Sequence, residues 1–255
     1  MIRGVINEFS GMRTLLSSSR PKGESLSFIL AAICRFFFPK KSISYLGDKF
    51  YYLDKNTPLL LQWYPQEIES ILKRTGRIRS CLDIGANVGQ FAYTLKKYLP
   101  EIKIVSIEPQ EGAIPILHKN VAQNTVISAC VGKGDYKTLY VEEGKTDRSS
   151  PIVGANRGAN KALRVKAIEL TKRVCQKLKI DFYYDLIKID VEGGEKEVLQ
   201  CIKDLEWKFL QVETTEKELA AVEKIISAQW PGASKIYGAH VTPHSGPLNF
   251  LFRRS

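Results

Sequence analysis

The residue types most capable of chemistry lie between positions 83 and 108. Asp83-Ile84-Gly85-Ala86-Asn87-Val88-Gly89 follows a short apolar run, Ser80 to Ile84. After it, Val88, Phe91, Ala92, Leu95, Tyr98 and Leu99 recur at helical spacing until Pro100. A strand ending in an acid, then a glycine turn, then a helix, brings main chain close to a ligand. Gly85 and Gly89 carry no Cβ that would hold the ligand off. In open parallel sheets, ligands bind at the carboxyl ends of the strands, which is where this turn falls. A dinucleotide-phosphate fingerprint requires G-x-G-x-x-G. Asn87 stands at its second glycine position, which speaks against a pyrophosphate. Glu108 closes the next apolar strand, 25 positions after Asp83. A carboxylate there can accept both hydroxyl protons of a ribose. The expected ligand is a ribose-bearing nucleoside.

A second group of ionisable residues is Lys188, Asp190 and Glu192. If a strand over Tyr184–Val191 alternates regularly, these three project to one side, opposite Ile189 and Val191. Asp190 or Glu192 can then orient an acceptor hydroxyl or take its proton. The plainer alternatives are Asp190 as a cap of the following helix and Lys188 as a neutraliser of the two acids. The two acids leave a metal site open, although no histidine or third carboxylate is near in sequence and no metal ligand is assigned. Glu213 ends a further strand and has access to the same pocket. His240 and His244 flank the last hairpin as alternative bases.

Three stretches, DIGANVGQFA (83–92), IEPQ (107–110) and LIKIDVEGGEKEVL (186–199), carry a resemblance to the FkbM family of class I methyltransferases. A weaker match is DRSSPI at 147–152, and the resemblance covers roughly residues 45–255. It implies an α/β fold, the class I methyltransferase Rossmann-like three-layer sandwich. Its seven-stranded sheet is mostly parallel with an antiparallel last strand. It also implies S-adenosyl-L-methionine as cofactor and a hydroxyl acceptor on a small molecule or glycan, such as a sugar or polyketide-type natural product. By the same resemblance Asp83, Gly85, Ala86, Asn87, Gly89 and Gln90 hold the methionine part of the cofactor. Glu108 and Pro109 hold the ribose, and Ala129 and Cys130 border the adenine. Lys188, Asp190 and Glu192 are the catalytic candidates. Gly194 departs from the family's usual alanine, at little cost for a helix start.

The elements that must position these residues follow from periodicity. Tyr45 to Leu53 reads as a hairpin turning at Gly47-Asp48, and Tyr64, Ile68, Ile71 and Leu72 as a helix stopped by Gly76. Strands are expected at Ile102–Ile107, Thr125–Val131, Thr138–Val141, Leu163–Leu170, Tyr184–Val191, Phe209–Val212, Ser234–Val241 and Leu248–Arg253. Helices marked by apolar stripes separate most of them. Asp147 to Asn160 reads as a long polar loop. Strands alternating with helices imply a three-layer α/β sandwich. Residues 1–44 form an uncertain helical extension, 45–78 lead into the core, and 79–255 form the cofactor-binding domain.

The chain has 255 residues, and 44% of them are hydrophobic, ordinary for a globular protein. Its formal charge of +11 is uneven, with 13 Lys/Arg against 6 Asp/Glu in residues 1–80. That excess makes an RNA methyltransferase the second reading, and a non-catalytic cofactor-binding module the third. The absence of an N-P-P-Y-like tetrapeptide disfavours base methylation. Five scattered cysteines without C-x-x-C spacing argue against a zinc site or disulfide framework and for a reducing, cytoplasmic location. Leu26–Phe38 is too short to span a bilayer. Residues 26–41 offer peripheral contact with the inner membrane face as an open alternative to packing on the protein.

Overall fold

The computed structural model describes residues 42–53, 57–142, 149–150, 160–240 and 248–255. The apolar stretch 26–41, most of the 147–160 loop and His244 lie outside the described residues.

A hairpin of β1 (Ser42–Tyr45) and β2 (Asp48–Tyr51) opens the described chain, followed by α1 (Thr57–Leu60) and α2 (Tyr64–Thr75). Then β3 (Ser80–Ile84), α3 (Gln90–Tyr98), β4 (Lys103–Glu108), α4 (Ile114–Asn120) and β5 (Thr125–Ser128) alternate as the periodicity predicts. The middle of the chain builds β6 (Cys130–Val131), β7 (Tyr136–Glu142), β8 (Ser149–Ser150) and β9 (Asn160–Ile168). Alternation resumes with α5 (Lys172–Leu178), β10 (Tyr183–Ile189), α6 (Glu195–Cys201), β11 (Glu206–Thr214) and α7 (Glu216–Gln229). The closing pair is β12 (Ser234–His240) and β13 (Leu248–Arg253).

The main sheet has seven strands in the order β12-β13-β11-β10-β3-β4-β5. β13 runs antiparallel to both its neighbours, and the β11-β10-β3-β4-β5 run is parallel. The strand order reverses beside β3, a topological switch point, so a crevice opens at the carboxyl ends of β3 and β10. This is the three-layer α/β sandwich with an antiparallel last strand that the sequence leads one to expect.

Each face of the sheet has its own core. Ile84, Ile107, Ile189 and Val212 face α5, α6 and α7, where Trp207 and Trp230 meet edge to face at 5.2 Å between ring centres. Cys81, Ile104, Leu186 and Phe209 face α2, α3 and α4 together with Phe91 and Leu95. The hairpin is fastened to that second layer by Tyr45 Oη and Thr94 Oγ1, 2.8 Å apart. Asn120 donates to both Tyr51 O (2.8 Å) and Val88 O (2.7 Å), which ties the hairpin to the glycine turn.

The first hairpin turns at Leu46-Gly47, both left-handed, and not at Gly47-Asp48, because Asp48 already pairs with Tyr45. Three further expectations need correction. Thr125–Val131 is not one strand: Ala129 N–H donates to Ile127 O at 3.2 Å, an i→i+2 turn. Beyond that turn Cys130 and Val131 leave the main sheet and pair with Ala167 and Ile168. The polar stretch 147–160 is not wholly loop, since Ser149 and Ser150 pair with Val141 and Tyr140 in a separate four-stranded sheet, β6-β9-β7-β8. The third concerns the end of β10 and is taken up with the site. Among the described residues no helix is long and apolar enough to cross a membrane.

Candidate functional site at the carboxyl edge of the sheet

The turn after β3 is fixed by backbone geometry. Gly85 and Ala86 N–H both donate to Ile107 O, at 2.9 and 3.1 Å. Gly85 (φ 84°), Asn87 (φ 50°) and Gly89 (φ 91°) are all left-handed, which explains two glycines and an asparagine at these positions. Gly85 lies against the neighbouring strand: an added Cβ would stand 1.8 Å from Asp190 O. Gly89 is the N-cap of α3, and Gln90 begins that helix as a buried residue. Glu108 reaches back to the same turn. Its Oε2 accepts from Asn87 N–H at 2.7 Å and its Oε1 from Gln110 N–H at 2.8 Å, and Pro109 between them is half-buried. Each oxygen keeps a lone pair for a hydroxyl donor. Burial pushes the Glu108 carboxyl up to about 7, against the two backbone donors.

Across the sheet, on the face of α2 and α3, four polar residues stand in register. Ser106 is opposite Asp83, Asp83 opposite Lys188, and Lys188 opposite Gln211. All four are at most 2% exposed, in a layer otherwise apolar. The Lys188 ammonium lies 2.8 Å from Asp190 Oδ2 and 3.8 Å from Asp83 Oδ1, over the Phe91 ring at 5.2 Å. Burial works against its charge, but Asp190 and Asp83 outweigh burial and hold its pKa well above the ordinary lysine value. One cation therefore serves two carboxylates. Asp83, wholly buried, is pushed up to about 6 by burial although Lys188 pulls the other way.

β10 ends at Ile189, so the alternation expected through Glu192 does not hold. Lys188 points into the layer, and Asp190 is half-buried just past the strand with its N–H on Ile84 O at 3.0 Å. Glu192 is left-handed (φ 51°) and exposed, on a bend. Asp190 does not cap the next helix: Gly194 is the N-cap, and Glu195 accepts from Gly193 N–H at 2.6 Å. Glu213 arrives from β11, and ligand atoms of Asp190, Glu192 and Glu213 lie within 4.8 Å of one another. The third carboxylate missing from the local sequence is thus supplied by the fold, making a trio with the spacing to hold a cation. Burial, then Asp190, raise Glu213 well above the usual carboxylate range.

A glycine turn, the buried Glu108 carboxylate that grips it and an acid-lined strand end stand together at one edge. A family model for the methyltransferase FkbM domain matches residues 83–228, more than half of the chain. The chain belongs to the FkbM methyltransferase family. The matched residues 83–228 are a methyltransferase domain of that family. Methyltransferase sdnD of Sordaria araneosa is 26% identical over 170 residues, covering 53% of this chain and 66% of the relative. The match thus spans just under two thirds of that protein's length. Similar solved structures include the O-methyltransferase from Bacillus cereus in complex with SAH, at 12% identity and a TM-score of 0.48, covering 92% of both chains. Another is M. jannaschii TYW2 in complex with AdoMet, at 12% identity and a TM-score of 0.47, covering 84% of this chain and 86% of that one. The fold class itself rests on the strand order described above.

The residues of this FkbM-family site fit the cofactor. Asn87 Oδ1 is buried and without a hydrogen-bond partner, an acceptor aimed at nothing within the protein. The missing Cβ atoms of Gly85 and Gly89 face the protein itself, Asp190 O at 1.8 Å and Leu117 Cδ1 at 2.9 Å, so both glycines serve the tightness of the turn. Ala129 is buried and Cys130 half-buried at the bend beyond β5. Sequence reasoning missed Glu67 of α2, whose Oε1 accepts from Gln211 Nε2 at 2.5 Å and from Asn249 Nδ2 at 3.1 Å. Burial raises Glu67 to about 7, with Lys188 and the Gln211 bond opposing. A signal for this cluster exists in the strands themselves. Ser106, Asp83, Lys188 and Gln211 each interrupt an apolar run close to its carboxyl end.

These shifts set a pH dependence. Asp83, Glu67 and Glu108 hold a proton more tightly folded than unfolded, so the native state binds more protons in the window between the two values. The contribution of these three groups to stability is then full below about pH 4 and is lost as pH rises through about 6 to 7. The cofactor-free protein is expected to melt at a higher temperature at pH 5 than at pH 8. Glu108→Gln should flatten part of that slope, and equal slopes in thermal melts of both proteins would remove Glu108 as a source.

Proposed function

We propose that the enzyme methylates a hydroxyl group, on a sugar or natural-product acceptor. The observation that supports this most is Asp190, a half-buried carboxylate next to the glycine turn with its Oδ2 on the Lys188 ammonium at 2.8 Å. A carboxylate there can align an acceptor O–H and receive its proton as the oxygen gains a carbon. Glu192, exposed at the same rim, can contact the acceptor from outside. Lys188, turned into the layer and held between Asp190 and Asp83, acts as a positioning residue that sets the orientation of Asp190.

In this proposal Gly85, Ala86, Asn87, Gly89 and Gln90 hold the methionine part of the cofactor, and Asp83, wholly buried beside Lys188, fixes the strand end behind them. Glu108 and Pro109 take the ribose, and the bend at Ala129 and Cys130 borders the adenine. When bound, S-adenosyl-L-methionine supplies a methyl group on a positively charged sulfur, the difficult part of the chemistry. The chain itself needs only to place acceptor oxygen and methyl in line and to exclude water. The test is a radiolabelled methyl-transfer assay against cell extract fractionated into glycan, lipid, nucleic acid and small molecule. Label is expected in the glycan or small-molecule fraction, and label confined to nucleic acid would defeat the proposal. With the acceptor in hand, Asp190→Asn should lower kcat on the order of 10²–10⁴-fold with cofactor affinity retained. A lower affinity with unchanged kcat would instead make Asp190 a structural residue.

A further inference from the structure

Asn120, the last residue of α4, bonds to the backbone of two separate elements. Its Oδ1 accepts from Tyr51 N–H at 2.8 Å, and its Nδ2 donates to Tyr51 O at 2.8 Å and to Val88 O at 2.7 Å. The amide orientation is unambiguous, because a backbone N–H can only donate and a carbonyl can only accept. Both backbone groups of Tyr51 turn away from its partner Ser42 in β1 and meet Asn120, which pairs with the edge of β2 as a further strand would. The third bond goes to the turn after β3. Val88 stands there between Asn87 and Gly89, both left-handed. The peptide joining Val88 to Gly89 is held at both ends. Gly89 N–H donates to Ala86 O at 2.8 Å inside the turn, and Val88 O accepts from Asn120 outside it.

A left-handed backbone at a residue with a Cβ persists only where its surroundings hold it. Glu108 holds the Asn87 N–H from the end of β4, and Asn120 holds the next residue's carbonyl from the end of α4. Gly89 lets α4 approach, with Asn120 Cβ 3.8 Å from the place of its missing Cβ. We infer that Asn120 is a positioning residue for cofactor binding, which couples the β1–β2 hairpin to the glycine turn. This rests on the reading that the turn holds the methionine part of the cofactor. The hairpin precedes the family-matched residues 83–228, so a segment ahead of the matched domain supports its cofactor turn. The coupling is reciprocal. Whatever the seated hairpin adds to cofactor affinity, the bound cofactor returns to the seating of the hairpin.

Calorimetry on the full chain at pH 8 with S-adenosylhomocysteine, the cofactor without its methyl group, tests this without any methyl transfer. Asn120→Asp keeps the size and the acceptor for Tyr51 N–H but sets a carboxylate against Val88 O. Asn120→Ala removes all three bonds. Each should weaken binding on the order of tenfold, as when the binding-competent turn falls to about a tenth of the population. Val222→Ala, in the buried layer on the other face of the sheet, loses stability without touching turn or hairpin. It should bind as the parent protein does. Thermal melts report whether each variant folds. In the parent, bound S-adenosylhomocysteine should slow amide hydrogen exchange of the peptide containing Tyr51, and Asn120→Ala should lose that response. Parent-like affinity in both Asn120 variants, an equal loss of affinity in Val222→Ala, or Tyr51 exchange indifferent to the ligand overturns the inference. If neither Asn120 variant folds, the exchange response of the parent decides. A parent that binds no S-adenosylhomocysteine removes the cofactor reading of the turn and this inference with it. Intact binding that is blind to Asn120 removes this inference alone.

Discussion

Gly85→Ala should abolish cofactor binding and produce the largest loss of stability of any single change at the glycine turn. Its Cβ would stand 1.8 Å from Asp190 O, 2.8 Å from Asp190 C and 3.3 Å from Val191 Cγ1. The first two are backbone atoms of the adjoining strand end, held by the Asp190 N–H bond to Ile84 O, so no side-chain rotation relieves the clash. Left-handed φ adds about 1–2 kcal/mol for a residue with a Cβ. Forced repacking adds about 1–3 kcal/mol, giving roughly 2–5 kcal/mol together. In a domain of this size each kcal/mol lowers the melting temperature by about 2–4 °C, so a fall on the order of 10 °C is expected. The same displacement moves Asp190 and the turn apart, so calorimetry should detect no S-adenosylmethionine binding. Gly89→Ala is the internal comparison. There the added Cβ meets Leu117 Cδ1 at 2.9 Å, the end of a flexible side chain, and the loss should be smaller. Equal effects at the two glycines would show that backbone contact with Asp190 is not what matters.

Lys188→Met should be nearly as damaging, for an electrostatic reason. It leaves Asp83, wholly buried, and Asp190 without their shared cation, and removing one partner of a buried ion pair costs about 3–5 kcal/mol. Methionine fills much the same volume, so packing against Phe91 changes little. The charge origin has a signature that a packing defect lacks. Without Lys188 the folded-state pKa of Asp83 rises further above its unfolded value. Stability of the variant is therefore lost more steeply than in the parent protein as pH rises through the window near 6. Urea denaturation at pH 5 and pH 8 measures this directly. Adding Asp83→Asn to Lys188→Met should restore part of the pH 8 stability by removing the unpaired charge. A double variant no more stable than the single one would falsify the charge account and leave packing as the cause.

Much of this arrangement was legible in the chain. The apolar runs ending in Asp83, Glu108 and Ile189, separated by helical stripes, lead to the alternating fold and to a ligand edge, and the strands fall within a few residues of the expected positions. The break at Ala129 was not legible. Thr125 to Val131 is continuous in its apolar character, and only the competition of a second sheet for Cys130 and Val131 divides it. Glu192 shows a similar limit. Period-2 alternation puts it beside Lys188, but the left-handed backbone at Glu192 and Gly193 turns the chain before the pattern can continue.

The sequence by itself determined the fold class, the glycine turn with the acid that ends the next strand, and the family. Each depends on residue order within one strand–turn–helix unit, where spacing fixes which side chains meet. Tertiary structure alone decided which charges neutralise one another. Lys188 is paired with Asp83, Glu67 reaches Gln211 and Asn249, and Glu213 joins Asp190. These partners lie between 23 and 182 positions apart, on strands and a helix whose adjacency is set by crossovers. A local pattern shows that Lys188 and Asp83 sit near strand ends. Only the register of β3 against β10 makes them neighbours, and the buried, low-dielectric layer between sheet and helices gives that neighbourhood its energetic weight.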